Sequence, residues 1–278
     1  WNIEQTTKLV GLIKTIAPDV VIVLGGPEVS YEWENQPLVE WADYLISGPG
    51  DLMFADLCRQ ILAGSAPEEK VLQAPVPALK DIKFPYELYS DEDISHRVIY
   101  VEASRGCPFK CEFCLSALDR TAHAFDLDKF LQQMALLYER GVRHFKFVDR
   151  TFNLHVGNSS AVLSFFLERM DESLFLHFEV IPDRLPDQLK LLLQRFPAGT
   201  LQLEVGVQSL NPEVQENISR KQDNALSREN LLWLRRHTNA HLHTDLIIGL
   251  PGAEAVCPIL GHDCQLRAFP LRDAADSG

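Results

Sequence analysis

Cys107-Pro108-Phe109-Lys110-Cys111-Glu112-Phe113-Cys114 is a C-x3-C-x2-C array that follows directly on the strand-like run Val98-Ile99-Tyr100-Val101-Glu102-Ala103. It constrains the chain more than any other feature, because a strand must end where three thiols are delivered together. Three thiolates hold three irons of a [4Fe–4S] cluster, whose full protein ligation takes four. The fourth iron is then open to an exogenous ligand, the arrangement a redox cluster needs to bind and cleave a small molecule. Two other chemistries share parts of this pattern. Cys111-x-x-Cys114 is also a zinc-knuckle spacing, although zinc needs a second pair and none follows at the usual distance, His123 being the nearest candidate. A disulfide fits less well, since three clustered cysteines do not pair evenly and no signal peptide is seen.

The run Ser104-Arg105-Gly106-Cys107 through Cys114 resembles the signature of radical S-adenosylmethionine (SAM) enzymes. The resemblance implies that Cys107, Cys111 and Cys114 hold the cluster, that the methionine end of SAM chelates the open iron, and that Phe113 lies against the adenine. Downstream segments fall in the same family order. Phe145 to Asn153 resembles the second barrel strand and its loop, although Asp149-Arg150-Thr151 stands where a glycine-rich loop is common. Phe178-Glu179-Val180 resembles the third strand, and Leu203 to Asn211 the fourth strand of the subgroup related to oxygen-independent coproporphyrinogen oxidase. Thr244 to Gly252 resembles the fifth. By this resemblance Glu179 and Gln208 contact SAM, Arg220, twelve residues beyond Gln208, meets its carboxylate, and Asp245 lies near the ribose or adenine. Read alone, Glu179 and Asp245 are equally ordinary polar residues at strand ends, and Gln208 and Arg220 are surface residues by default. Position raises all but Arg220, because active sites of barrels collect at strand ends, and Arg220 follows a short helix-like stretch where a planar fork of donors suits a carboxylate.

The expected fold class is α/β. Residues 1–63 alternate helix and strand: a helix over 3–16, a buried parallel strand over 20–24, a short helix near 37–41, a strand at 44–46 and a helix over 52–62. This order resembles the second half of a flavodoxin-like, cobalamin-binding-like domain, whose cofactor-tail contacts match Gly25-Gly26-Pro27 and Gly48-Pro49-Gly50-Asp51. The Asp-x-His-x-x-Gly motif of that domain is not in this chain, so cobalamin stays open at this point. Residues 64–97, with Pro67, Pro75, Pro77 and Pro85, are expected to be a linker. Residues 98–254 repeat strand then helix, with strands near 98–103, 144–149, 175–181, 201–207 and 241–248. They are expected to form a partial (β/α)6 radical SAM barrel whose sixth strand is missing or scrambled. Residues 255–278 lose periodicity, and Cys257, His262 and Cys264 there are a weak metal signal.

Net charge is −13, which gives no general attraction to nucleic acid. No apolar run reaches membrane length, and the cysteines with no secretory segment point to a reducing cytoplasm. The chain opens on Trp1 without an initiator Met and is expected to be a piece of a longer protein. The family resemblance implies one electron from a partner such as a ferredoxin or flavodoxin, cleavage of the SAM S–C5′ bond, and a 5′-deoxyadenosyl radical that abstracts hydrogen from a substrate the sequence does not reveal. An intact cobalamin domain upstream makes methyl transfer the expected outcome. Two other classes stay alive: a zinc-stabilised binding module, and an inactive fragment of a truncated or frame-shifted gene.

Overall fold

The computed structural model describes residues 2–118 and 122–253. The irregular tail expected over 255–278, with Cys257, His262 and Cys264, lies outside the described residues. The chain divides into two units, 1–83 and 84–278.

The first unit runs α1 (Ile3–Ile16), β1 (Val23–Gly25), α2 (Pro27–Ser30), α3 (Pro37–Trp41), β2 (Tyr44–Ser47), α4 (Met53–Leu62) and β3 (Val71–Gln73). Its three strands are parallel in the order β1-β2-β3. A small core of Val10, Val29, Leu38, Val39 and Leu45 holds the helices to the central strand. Two expectations are corrected here. The apolar run 20–24 is not one strand buried on both faces. The strand begins at Val23, and Val20 and Val21 are about half exposed. Among the described residues β1 has a partner on one side only, and the doubly flanked β2 is the strand that becomes buried. The stretch 64–97 is also not all linker. Val71–Gln73 pairs with β2 through Leu45↔Val71, Ile46↔Leu72 and Ser47↔Gln73, because Pro67, Pro75 and Pro77 flank these residues and do not interrupt them.

The second unit opens with α5 (Asp91–His96), also inside the expected linker. Its acidic first turn is set by a capping box: the Ser90 hydroxyl accepts from Asp93 N–H, and the Asp93 carboxylate accepts from Ser90 N–H. There follow β4 (Ile99–Val101), β5 (Ser104–Gly106), β6 (Ala122–Ala124), α6 (Leu127–Glu139), β7 (His144–Phe147), α7 (Val156–Leu167), β8 (Phe175–Val180), α8 (Asp187–Leu193), β9 (Leu201–Gln208), α9 (Pro212–Asn217), α10 (Asn224–His237) and β10 (His241–Leu246). Strands β4-β7-β8-β9-β10 form one parallel sheet in chain order, with helices in every crossover. Asp126 caps α6 by accepting from Lys129 N–H, and Asp223 caps α10 by accepting from Leu226 N–H.

The two faces of this sheet differ in chemistry. Along β9, Leu201, Leu203, Val205 and Val207 are buried, while Gln202, Glu204, Gly206 and Gln208 alternate with them and are only partly buried. The side-chain period of two in a strand forces this division. The apolar face packs on a phenylalanine-rich core that includes Phe130, Phe145, Phe147, Phe166 and Phe178. Phe152 stacks on Phe178 with ring centroids 4.0 Å apart, which holds the loop after β7 down onto β8. The other face is polar and carries the site. No helix among the described residues is long and apolar enough to cross a membrane.

Candidate active site

Antiparallel strands β5 and β6 pair Ser104 with Ala124 and Gly106 with Ala122, so this ribbon holds both ends of the cysteine loop. The expected strand 98–103 stops early because the buried Asp149 carboxylate takes over the next donors. It accepts from Ala103 N–H at 3.0 Å and from the Ser104 hydroxyl at 2.5 Å. Burial pushes the Asp149 carboxyl up to about 6. Gly106 has φ +91°, a left-handed conformation that turns the chain into Cys107.

The loop is tied to the turn after α9. Glu112 N–H donates to Ile218 O at 3.0 Å, the Ser219 hydroxyl donates to Glu112 Oε1 at 2.6 Å, and Arg220 Nη1 lies 3.6 Å from Cys111 Sγ. Ser219 (φ 54°) and Gln208 (φ 65°) both hold left-handed backbone without being glycine. Such strain concentrates at functional sites. The Gln208 side chain folds back over Gly206, where an added Cβ would stand 2.6 Å from Gln208 Nε2.

A cavity of about 280 Å³ opens beside this loop at the carboxyl ends of β8, β9 and β10. Cys107, Cys111, Cys114, Phe113, Glu179, Gln208, Arg220 and Asp245 all line it. Residues far apart in sequence meet because parallel strands bring their carboxyl ends to one edge. Arg220 is already well engaged: Nε and Nη2 donate to Gln222 Oε1 at 3.0 and 2.8 Å, and Nη2 also donates to Gly206 O.

Several lining residues were not singled out from the sequence. Arg150 stands 3.3 Å from Glu179 Oε1 in the loop that departs from the glycine-rich pattern. Burial raises the Glu179 carboxyl and the Arg150 guanidinium opposes that rise. Glu204 lines the cavity and contacts buried His177 at 2.8 Å. The alternation of β9 carried that signal, since Glu204, Gly206 and Gln208 share one face.

Burial raises the Cys107 thiol, and Cys114 and Cys111 add to the rise. A cation bound by these sulfurs offsets that rise. Zinc needs four donors within about 2.3 Å of one ion. An iron–sulfur cluster spreads its thiolates over separate irons. Three cysteines around one cavity fit the second donor set.

Known proteins resemble this chain. A cobalamin-dependent radical SAM methyltransferase, TokK, of Streptomyces tokunonensis is 25% identical over 90% of this chain and 41% of its own length. The 2-(S-pantetheinyl)-carbapenam-3-carboxylate methyltransferase of Streptantibioticus cattleyicolor is 23% identical, again over 90% of this chain and 41% of its own. The chain therefore spans about two-fifths of the length of these relatives. Among solved structures, the radical SAM methyltransferase TsrM of Kitasatospora setae superposes with a TM-score of 0.73 at 17% identity, covering 90% of this chain and 54% of that one. The radical SAM superfamily model matches residues 101–254, more than half the chain, and the protein belongs to that superfamily.

Proposed function

We propose that this chain carries the SAM-cleaving core of a cobalamin-linked radical SAM methyltransferase. The observation that carries the proposal is the meeting of three cysteines with Phe113, Glu179, Gln208, Arg220 and Asp245 around one cavity. Cys107, Cys111 and Cys114 are the cluster ligands, and SAM occupies the cavity. A cluster held by these cysteines would supply the electron for reductive cleavage of SAM. The protein binds, orients and shields. Phe113 offers a ring for the adenine, Glu179 and Asp245 offer acceptors to SAM hydroxyl or ammonium donors, and Gln208 offers an amide. A one-electron donor such as a ferredoxin or flavodoxin serves as partner.

The first unit supports the cobalamin part of the proposal. Its loops 25–27 and 48–51 leave the carboxyl ends of parallel strands, where ligands of α/β sheets bind. At Gly26 (φ +102°) nothing lies within 4 Å of where a Cβ would stand, so the backbone is open to a ligand. The domain boundaries that go with the proposal are a cobalamin-binding-like unit through Lys83 and a barrel unit from Phe84.

Anaerobic reconstitution with iron and sulfide, followed by SAM and dithionite, tests the proposal through 5′-deoxyadenosine formation and metal content. Iron near four per chain with 5′-deoxyadenosine is the expected result, and Cys107→Ala abolishes the product. Product at the wild-type rate from iron-loaded Cys107→Ala sinks the ligand assignment. Zinc without iron points instead to a zinc-stabilised module.

A further inference from the structure

We propose that Arg220 is a positioning residue that acts through the Cys111 sulfur: it donates an N–H to Sγ and thereby raises the reduction potential of the cluster. The inference rests on the reading of Cys107, Cys111 and Cys114 as cluster ligands.

The guanidinium is fixed without help from any ligand. A guanidinium has five N–H donors in a rigid fork. Nε and one Nη2 proton go to Gln222 Oε1, the other Nη2 proton goes to Gly206 O, and one Nη1 proton faces Cys111 Sγ at 3.6 Å. That distance suits a hydrogen bond to the large sulfur atom. Gln222 is itself braced, because its Nε2 donates to Asn224 Oδ1 at 3.1 Å, and that oxygen also accepts from Gln215 Nε2 at 2.7 Å. The clamp therefore joins the cysteine loop to the fourth strand of the sheet and to the start of α10. Four of the five donors are committed, which leaves one for a SAM carboxylate.

Cys111 is 7% exposed, the most buried of the three cysteines. In such surroundings a cation and an oriented N–H act on the sulfur with little solvent screening. Reduction adds negative charge to the cluster, so a donor and a positive charge at a ligating sulfur favour the reduced form. Hydrogen bonds to the sulfurs are among the factors that set cluster potentials.

The test is an EPR-monitored redox titration of the reconstituted full chain in the absence of SAM, so that a lost contact with SAM contributes nothing. Arg220→Gln removes the charge and the fork, and Arg220→Lys keeps the charge. Arg220→Gln is expected to favour the oxidised form about tenfold, a fall of about 59 mV for one electron, with a smaller fall in Arg220→Lys. An unchanged midpoint in iron-loaded Arg220→Gln overturns the inference. If only Arg220→Lys loads iron, its midpoint decides in the same way. Failure of both variants to load iron overturns it in favour of a purely structural clamp. Failure of the wild-type chain to assemble any iron–sulfur cluster overturns the ligand assignment instead.

Discussion

Asp149→Asn is expected to stabilise the second unit at neutral pH, and the gain is expected to shrink in acid. Asp149 is 1% exposed, and burial lifts its carboxyl from the ordinary 3.8 to about 6. The folded state therefore holds the Asp149 proton more tightly than the unfolded chain does. Stability from this group is complete below pH 3.8 and is lost as pH rises through about 6. At 1.36 kcal/mol per pH unit, the raised proton affinity of the buried carboxyl costs about 3 kcal/mol at pH 8 and about half of that at pH 5. Asparagine keeps the shape without the charge. It has one acceptor oxygen for the two donors Ala103 N–H and Ser104 O–H, so one hydrogen bond worth about 1 kcal/mol is lost. The net expectation is a gain of about 2 kcal/mol at pH 8 and of less than about 1 kcal/mol at pH 5. Urea titration followed by hydrogen exchange of peptides from β4 and β7 reports on this unit alone. A variant-minus-wild-type difference that is the same at both pH values refutes the reasoning, as does a variant less stable than wild type at pH 8.

Two further substitutions probe the frame around the site and the first unit. Asn153, 2% exposed, accepts from Ile181 N–H at 2.7 Å and donates to Ile181 O at 2.9 Å and to Arg184 O. Asn153→Ala leaves these buried backbone groups unpaired and is expected to cost about 2–3 kcal/mol in urea titration, and a loss below about 0.5 kcal/mol contradicts the pairing. In the first unit Gly48 has φ +90°, and an added Cβ would stand 2.9 Å from the Ala74 carbonyl oxygen. Gly48→Ala is expected to cost that unit about 1–3 kcal/mol, read from the fluorescence of Trp33 and Trp41, and an unchanged transition there defeats the argument.

The architecture of the second unit was legible because its segments are locally consistent. The strands expected near 144–149, 175–181 and 201–207 are found at His144–Phe147, Phe175–Val180 and Leu201–Gln208. The caps of α6 and α10, Asp126 and Asp223, are side chains that satisfy helix donors wherever the helix lies. The misjudged places all depend on partners distant in sequence. Val20 and Val21 read as buried strand, yet burial needs neighbours on both sides. Ala103 read as strand, yet its N–H goes to Asp149, forty-six residues on. Val71–Gln73 read as linker, yet it completes a sheet begun before residue 30.

The sequence by itself determined the thiol spacing, the strand–helix repeat, the family and eight residues that meet at one cavity, because these are local patterns or recognisable motifs. The tertiary structure decided how those residues are engaged. Arg150 and Glu204 join the cavity, and His177 braces Glu204 from a neighbouring strand. Arg220, expected from its motif to face a carboxylate, commits most of its donors to Gln222, Gly206 O and Cys111 Sγ. A motif states which side chain is present at a position. Which donors remain free depends on the atoms that folding brings within about 3 Å of it, and those come from parts of the chain that only packing unites.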